Sequence, residues 1–203
     1  MHVLTRLLMA FLLILSFLGQ TAVIPKISPY SVLESVGNRL FTRLAANQQE
    51  ITKFPNLVNV IVEEELMPAI DYKYAAYRIL GKHLQKTTQE QRAQFALSMR
   101  SYLVRTYASA LKQYNNQKVI FETEKPTKNK RIVAVKTQII EMNKPTIDVV
   151  FKMRKNKKTG QWKAFDLVVE GISLLSSKKA ELGKKIVNEG VEHVAKELAA
   201  LAK

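Results

Sequence analysis

Apolar residues recur every fourth position through Val32, Val36, Leu40 and Leu44, behind a Ser28-Pro29 pair that offers an N-cap and a proline at the first helical position. The spacing predicts a first helix running to about Glu50. Pro55 opens a second, with Leu57, Val58, Ile61, Val62 and Leu66 on one side and the Glu63-Glu64-Glu65 run beside them, until Pro68 interrupts the hydrogen-bond ladder. Asp71 is placed to cap a third. Thr87 and Glu90, three apart, form a capping-box pattern before the longest periodic segment. There Phe95, Met99, Leu103, Tyr107, Leu111 and Tyr114 keep helical spacing for about five turns.

Beyond Asn115-Asn116 the period becomes two. Val119, Phe121 and Thr123 alternate with polar neighbours, as do Val133, Val135, Thr137 and Ile139, and then Ile147, Val149, Phe151 and Met153. A fourth strand spans Gln161 to Glu170. Trp162 and Phe165 lie three apart within it while Phe165, Leu167 and Val169 alternate, so a bulge is expected near Ala164. Connections of a few residues imply successive hairpins and an antiparallel meander with one face against the helices. From Gly171 onward the pattern gives two short amphipathic helices, separated near Gly183 to Gly190.

The first residues change the picture of where this fold works. Arg6 is the only formal charge before Ala22, and Leu7 to Leu18 is an almost purely apolar run, too short to cross a bilayer, followed by Gly19, Thr21 and Ala22. This is the pattern of an export signal over residues 1–22, with an uncleaved anchor as the other reading of the same run. The rest, residues 23–203, reads as one domain. With no Cys in 203 residues, a lipid-modified cysteine and a disulfide framework are both excluded, and the core alone must hold the exported domain. If the signal is bacterial, the destination is the periplasm.

Chemistry is sparse. His83 and His193 stand apart from each other in the sequence and from any Cys, so no zinc-ligand spacing exists, and no cofactor motif or glycine-rich phosphate loop is present. A pair such as Asp166 with Glu170 could serve hydrolysis, but as structural polar residues at a strand end the two need no catalysis. The enzyme reading is therefore set aside as the last of three.

Formal charge is +15, from 32 basic and 17 acidic residues, which calls for an anionic partner. Between Lys112 and Lys163 there are 14 basic and 4 acidic residues, a net of +10. Lys125, Lys128, Lys130 and Arg131 fill one strand connection, and Lys152, Arg154, Lys155, Lys157 and Lys158 gather at the next. The patch reads as a docking face for anionic head groups or an acidic partner, or else as a solubilising sheet edge. Phe121, Phe151 and Phe165 fall at apolar alternation positions, so the exposed stacking platform that nucleic acid needs is missing. Six of the seven tyrosines lie between Tyr72 and Tyr114. Such rings suit either a plain core or the wall of a lipid pocket.

Several segments decide between these. Pro29-Tyr30, Tyr74-Ala75-Ala76 through Ile79-Leu80-Gly81, Gln91-Arg92-Ala93-Gln94-Phe95, Tyr102-Leu103 with Tyr107-Ala108, and Trp162-Lys163-Ala164-Phe165-Asp166 followed by Glu170-Gly171-Ile172-Ser173 closely resemble the MlaC, or toluene-tolerance, family of periplasmic phospholipid-binding proteins. The resemblance implies a carrier that makes and breaks no bond. It would shuttle glycerophospholipid between an outer-membrane lipoprotein complex and the substrate-binding ring of an inner-membrane ABC transporter. The implied fold is α+β, a curved antiparallel four-stranded meander packed against several helices around an apolar ligand cavity. Candidate lipid-contacting residues are Val133, Val135, Ile139, Val149, Phe151, Met153, Leu167 and Val169 on the strand face, with Leu66, Ile70, Tyr74, Met99, Leu103 and Tyr107 on the helix stripes. Lys155, Lys157 and Lys158 are the candidate docking residues. Ser177 to Leu182 lacks the aromatic residues frequent in the family at that point, so no ligand contact is assigned there. A basic envelope adaptor with a closed core, binding an acidic partner, is the alternative.

Overall fold

The computed structural model describes residues 27–201; the expected export signal lies outside them. The first helix, α1 (Pro29–Ala46), starts where the sequence places it, with the Ser28 hydroxyl accepting the Ser31 amide at 3.1 Å and the Ser31 hydroxyl accepting the Ser28 amide in return. It stops short of Glu50. Asn47 leaves helical geometry and a separate short helix follows, α2 (Gln48–Lys53). The next helix, α3 (Leu57–Ile61), widens into a π turn over Val62–Leu66 and tightens to a 3-10 turn over Met67–Ala69, where Pro68 can offer no amide. Each glutamate of the triplet on that π turn meets an arginine: Glu63 pairs with Arg100, Glu64 with Arg43, and Glu65 with Arg39 and Arg43.

Asp71 caps α4 (Tyr72–Leu80) by accepting the Tyr74 amide at 3.1 Å. The long helix α5 (Gln89–Leu111) has its capping box one residue later than expected, at Thr88 and Gln91. Thr87 instead donates its hydroxyl to the Leu84 carbonyl, ending the 3-10 turn before α5. Two final helices, α6 (Leu174–Glu189) and α7 (Val191–Ala200), part at Gly190, whose φ of 85° lies in the left-handed region that a side chain rarely adopts. Gly183 stays helical within α6. Among the described residues no helix is long and apolar enough to cross a membrane.

Among the described residues the sheet has five strands rather than four: β1 (Lys118–Phe121), β2 (Ile132–Ile140), β3 (Ile147–Lys155), β4 (Trp162–Val169) and the two-residue β5 (Ile172–Ser173). All neighbours are antiparallel in sequence order, as a meander requires. The expected bulge is present, because Lys152 pairs with Asp166 and Met153 with Ala164, leaving Phe165 as the extra residue. The outer edge of β4 is covered twice. Its last residues pair with β5, and near its start the Asp71 amide donates to the Ala164 carbonyl at 2.7 Å.

Packing forms two apolar clusters. In one, Leu33, Leu40 and Leu44 of α1 and Val58 and Ile61 of α3 cover Val133, Val135, Met153 and Trp162 on the sheet. Gly37 permits that approach, since a Cβ there would stand 2.3 Å from Cζ of Phe121. In the other, Ile79 and Leu80 of α4, Phe95 and Met99 of α5, Leu182 and Ile186 of α6, and Val194 and Leu198 of α7 pack on one another. Tyr72 and Leu103 touch both clusters.

Candidate functional site

A cavity of about 320 Å³ opens between the sheet and helices α4, α5 and α6. Helical spacing builds three of its walls. Ala75 and Ile79 stand one turn apart on α4; Met99, Tyr102, Leu103, Thr106 and Tyr107 recur at the three- and four-residue steps that share a face of α5; Leu174, Leu175, Lys178 and Glu181 follow the first turns of α6. The sheet supplies Phe151 and Leu167, which pair across β3 and β4, and the bulge adds Ala164, Phe165 and Asp166 in succession. Ile70, from the segment bridged to β4, completes the lining.

The lining is mostly apolar, and its central polar residue is tied to the framework. Asp166 is buried, ion-pairs with Lys152 at 2.8 Å, and accepts the Ser173 hydroxyl at 2.8 Å and the Leu175 amide at 3.1 Å. It thus anchors the first turn of α6 to β4, with its acceptor sites filled by donors rather than turned to a substrate. Glu170 is engaged separately: its carboxylate accepts the Asp148 amide at 2.6 Å and its own amide donates to the Asp148 carbonyl. The hydrolytic pairing of Asp166 with Glu170 therefore has no geometric support. Tyr107 lines the cavity beside Asp166; burial, and then the charge of that carboxylate, push its phenol up to about 12.

Two opposite charges remain on the wall. Lys178 reaches Glu181 at 2.7 Å and lies 4.8 Å from the centroid of the Tyr102 ring. Burial works to lower the Lys178 ammonium, but Glu181 and Tyr102 outweigh it and hold the group above the ordinary lysine value.

Of the residues that the sequence puts forward for lipid contact, Ile70, Met99, Leu103, Tyr107, Phe151 and Leu167 line this cavity. The others are elsewhere. Val133, Val135 and Met153 are buried in the first cluster, and Leu66 packs against it. Val149 lines a separate hollow with Thr137, whose buried hydroxyl has no partner among the described residues. Ile139 lines a groove at the far end of α5, beside Tyr114 and Pro145. Tyr74 meets Phe165 edge-on at 5.1 Å and lies 4.2 Å beneath the Arg154 guanidinium, which also pairs with Asp71. Val169 is half-buried in the sheet, beside Val149 and Ile172. Strand alternation identifies a face but not what covers it: Val133, Val135 and Met153 lie under α1 and α3, whereas Phe151 and Leu167 face the cavity. Ser177, Lys178 and Glu181 are the reverse case: they lie in the segment left without a ligand contact, yet they line the cavity.

The basic residues converge at one end of the sheet. The connection from β1 to β2 and the hairpin from β3 to β4 both lie there, and Lys125, Lys128, Lys130, Arg131 and Lys155 surround one concavity with Ile27 and Trp162. Lys157 and Lys158 are exposed on the hairpin, where the Asn156 side chain accepts the Lys158 amide at 2.8 Å. His193, isolated in sequence, stands beside Glu189 and Glu197 with donor atoms within 4.8 Å of one another, but the Lys185 ammonium already holds Glu197.

A family model described as MlaC protein matches residues 34–200. The chain is 34% identical over 174 residues to the intermembrane phospholipid transport system binding protein MlaC of Haemophilus influenzae, covering 85% of this chain and 78% of that protein. It is 26% identical over 148 residues to the toluene tolerance protein ttg2D of Pseudomonas putida, covering 72% of this chain and 67% of that one. In fold it resembles a phospholipid-binding protein of Ralstonia solanacearum, solved in complex with a phospholipid, with a TM-score of 0.76 and 21% identity over 87% of this chain and 100% of that chain.

Proposed function

The chain belongs to the MlaC family, and from that premise we propose that it is a periplasmic carrier of glycerophospholipid that makes and breaks no covalent bond. Residues 1–22 are its export signal and 23–203 its lipid-binding domain. The observation that carries the reading is the apolar cavity between sheet and helices, supported by the phospholipid transport role of the Haemophilus relative and the lipid held by the Ralstonia protein.

Physical chemistry explains why a carrier is needed. At about 0.8 kcal/mol per methylene, exposing two acyl chains of about fifteen methylenes each costs on the order of 20 kcal/mol, so unaided crossing of an aqueous space is negligible. Ile70, Met99, Leu103, Tyr107, Phe151 and Leu167 replace the bilayer interior around the chains. Lys155, Lys157 and Lys158 dock the loaded carrier to acidic faces of an outer-membrane lipoprotein complex and of the substrate-binding ring of an inner-membrane ABC transporter. Differential affinity at the two ends, biased by the transporter's ATP use, sets the flow.

Organic extraction and mass spectrometry of the protein, purified without detergent from a bacterial periplasm, test the reading. Near-stoichiometric glycerophospholipid is expected. Protein that emerges lipid-free, and stays so after incubation with vesicles, leaves the basic adaptor in its place.

A further inference from the structure

We propose that Lys178 and Glu181 form a head-group site for a zwitterionic phospholipid bearing a primary ammonium, the ethanolamine class. The inference rests on the carrier reading and adds to it a chemical preference at the cavity wall. Among the described residues three charged side chains line the cavity, and Asp166 is engaged with Lys152, Ser173 and the Leu175 amide. The other two are Lys178 and Glu181, adjacent on one face of α6 and paired at 2.7 Å.

Their exposure fits a boundary between the apolar interior and water. The Lys178 side chain is 23% exposed, with its ammonium near the Tyr102 ring, whereas Glu181 is 54% exposed and further into solvent. An acyl chain lying against Leu103 and Leu175 leads its glycerol and phosphate toward this pair. The phosphodiester replaces Glu181 as the partner of Lys178. Glu181, freed, then needs a cation, and an ethanolamine ammonium bonded to the same phosphate supplies one with N–H donors. A glycerol head group satisfies Lys178 but leaves the Glu181 carboxylate facing a net anion. Preference thus arises as much from repulsion of the wrong head group as from attraction of the right one.

The test presents the purified protein with vesicles of equal phosphatidylethanolamine and phosphatidylglycerol, re-isolates it, and measures both total lipid and the ratio of the two classes by mass spectrometry. Because the pair is partly exposed, the expected enrichment of the ethanolamine lipid is modest, about threefold over the vesicle. Glu181→Gln should bring the ratio to that of the vesicle with total lipid kept, and Glu181→Lys should invert it. A wild-type ratio equal to the vesicle's, or enrichment of phosphatidylglycerol, overturns this inference while the carrier reading stands. So does a ratio that Glu181→Gln and Glu181→Lys leave unmoved. Wild type that takes up neither lipid overturns both.

Discussion

Tyr107 lies on the cavity wall in contact with two environments, apolar neighbours on α5 and the sheet and the nearby charge of Asp166, and both disfavour a phenolate. The folded phenol is raised from 10 to about 12, so the native state keeps a proton that the unfolded chain gives up. Stability from this group is fully present below pH 10 and is lost as pH rises toward 12, by about 3 kcal/mol for a shift of that size. Tyr107→Phe should remove that loss: urea unfolding of wild type and variant should diverge between pH 10 and 12, the variant falling less steeply. Parallel slopes would mean that the phenol reaches water. At this scale the sequence is legible where residues repeat. Met99, Leu103 and Tyr107 declare one face of a helix, whereas Lys178 and Glu181 look like any solvated pair three residues apart until Tyr102 and Leu175 are set beside them.

Elements were readable where the chain carries an unambiguous local signal, and less so where two signals compete. Ser28-Pro29 and Asp71 start their helices as expected, while Thr87-Thr88 offers two successive caps and the second is used. The π turn over Val62–Leu66 is invisible to periodicity, since its apolar residues still read as a helical side. β5 is too short to alternate. The basic connections, by contrast, were legible one by one, and antiparallel order brings them to one end of the sheet. Lys128 and Asn129 hold φ of 36° and 61° there, a turn that presents Lys130 and Arg131 beside Lys155. If the proposed docking holds, reversing charge at Lys155, Lys157 and Lys158 should slow association with a purified substrate-binding ring of the proposed transporter about tenfold at low ionic strength, with the difference closing in concentrated salt. Lipid content should not change. Equal association rates at low salt would remove the docking role of these three residues.

Over the whole molecule, the cavity lies where the two clusters fail to merge: Met99 belongs to the helical one, Ile70 and Ala164 to the one under the sheet, and Leu103 touches both. No sequence pattern announces such a seam, because a side chain beside a void and one in a filled core occupy the same helical position. That is why Val149 falls outside the cavity and Leu103 inside it, although each sits on an apolar stripe. Arginine substitutions at two leucines turn this difference into a measurement. Leu44, 1% exposed in the first cluster, leaves nowhere for a guanidinium to reach water, so Leu44→Arg should lose more than about 4 kcal/mol and fail to fold. Leu103→Arg, with Leu167→Arg as a second cavity variant, lets the side chain extend into the open volume; each should stay folded at a loss of about 2 kcal/mol, yet carry no lipid. Circular dichroism melts and extracted lipid per mole of protein, taken together, separate the cases. If both cavity variants unfold as Leu44→Arg does, the core is closed and the basic adaptor returns. If they fold and keep their lipid, the acyl chains travel somewhere other than between α5 and the sheet.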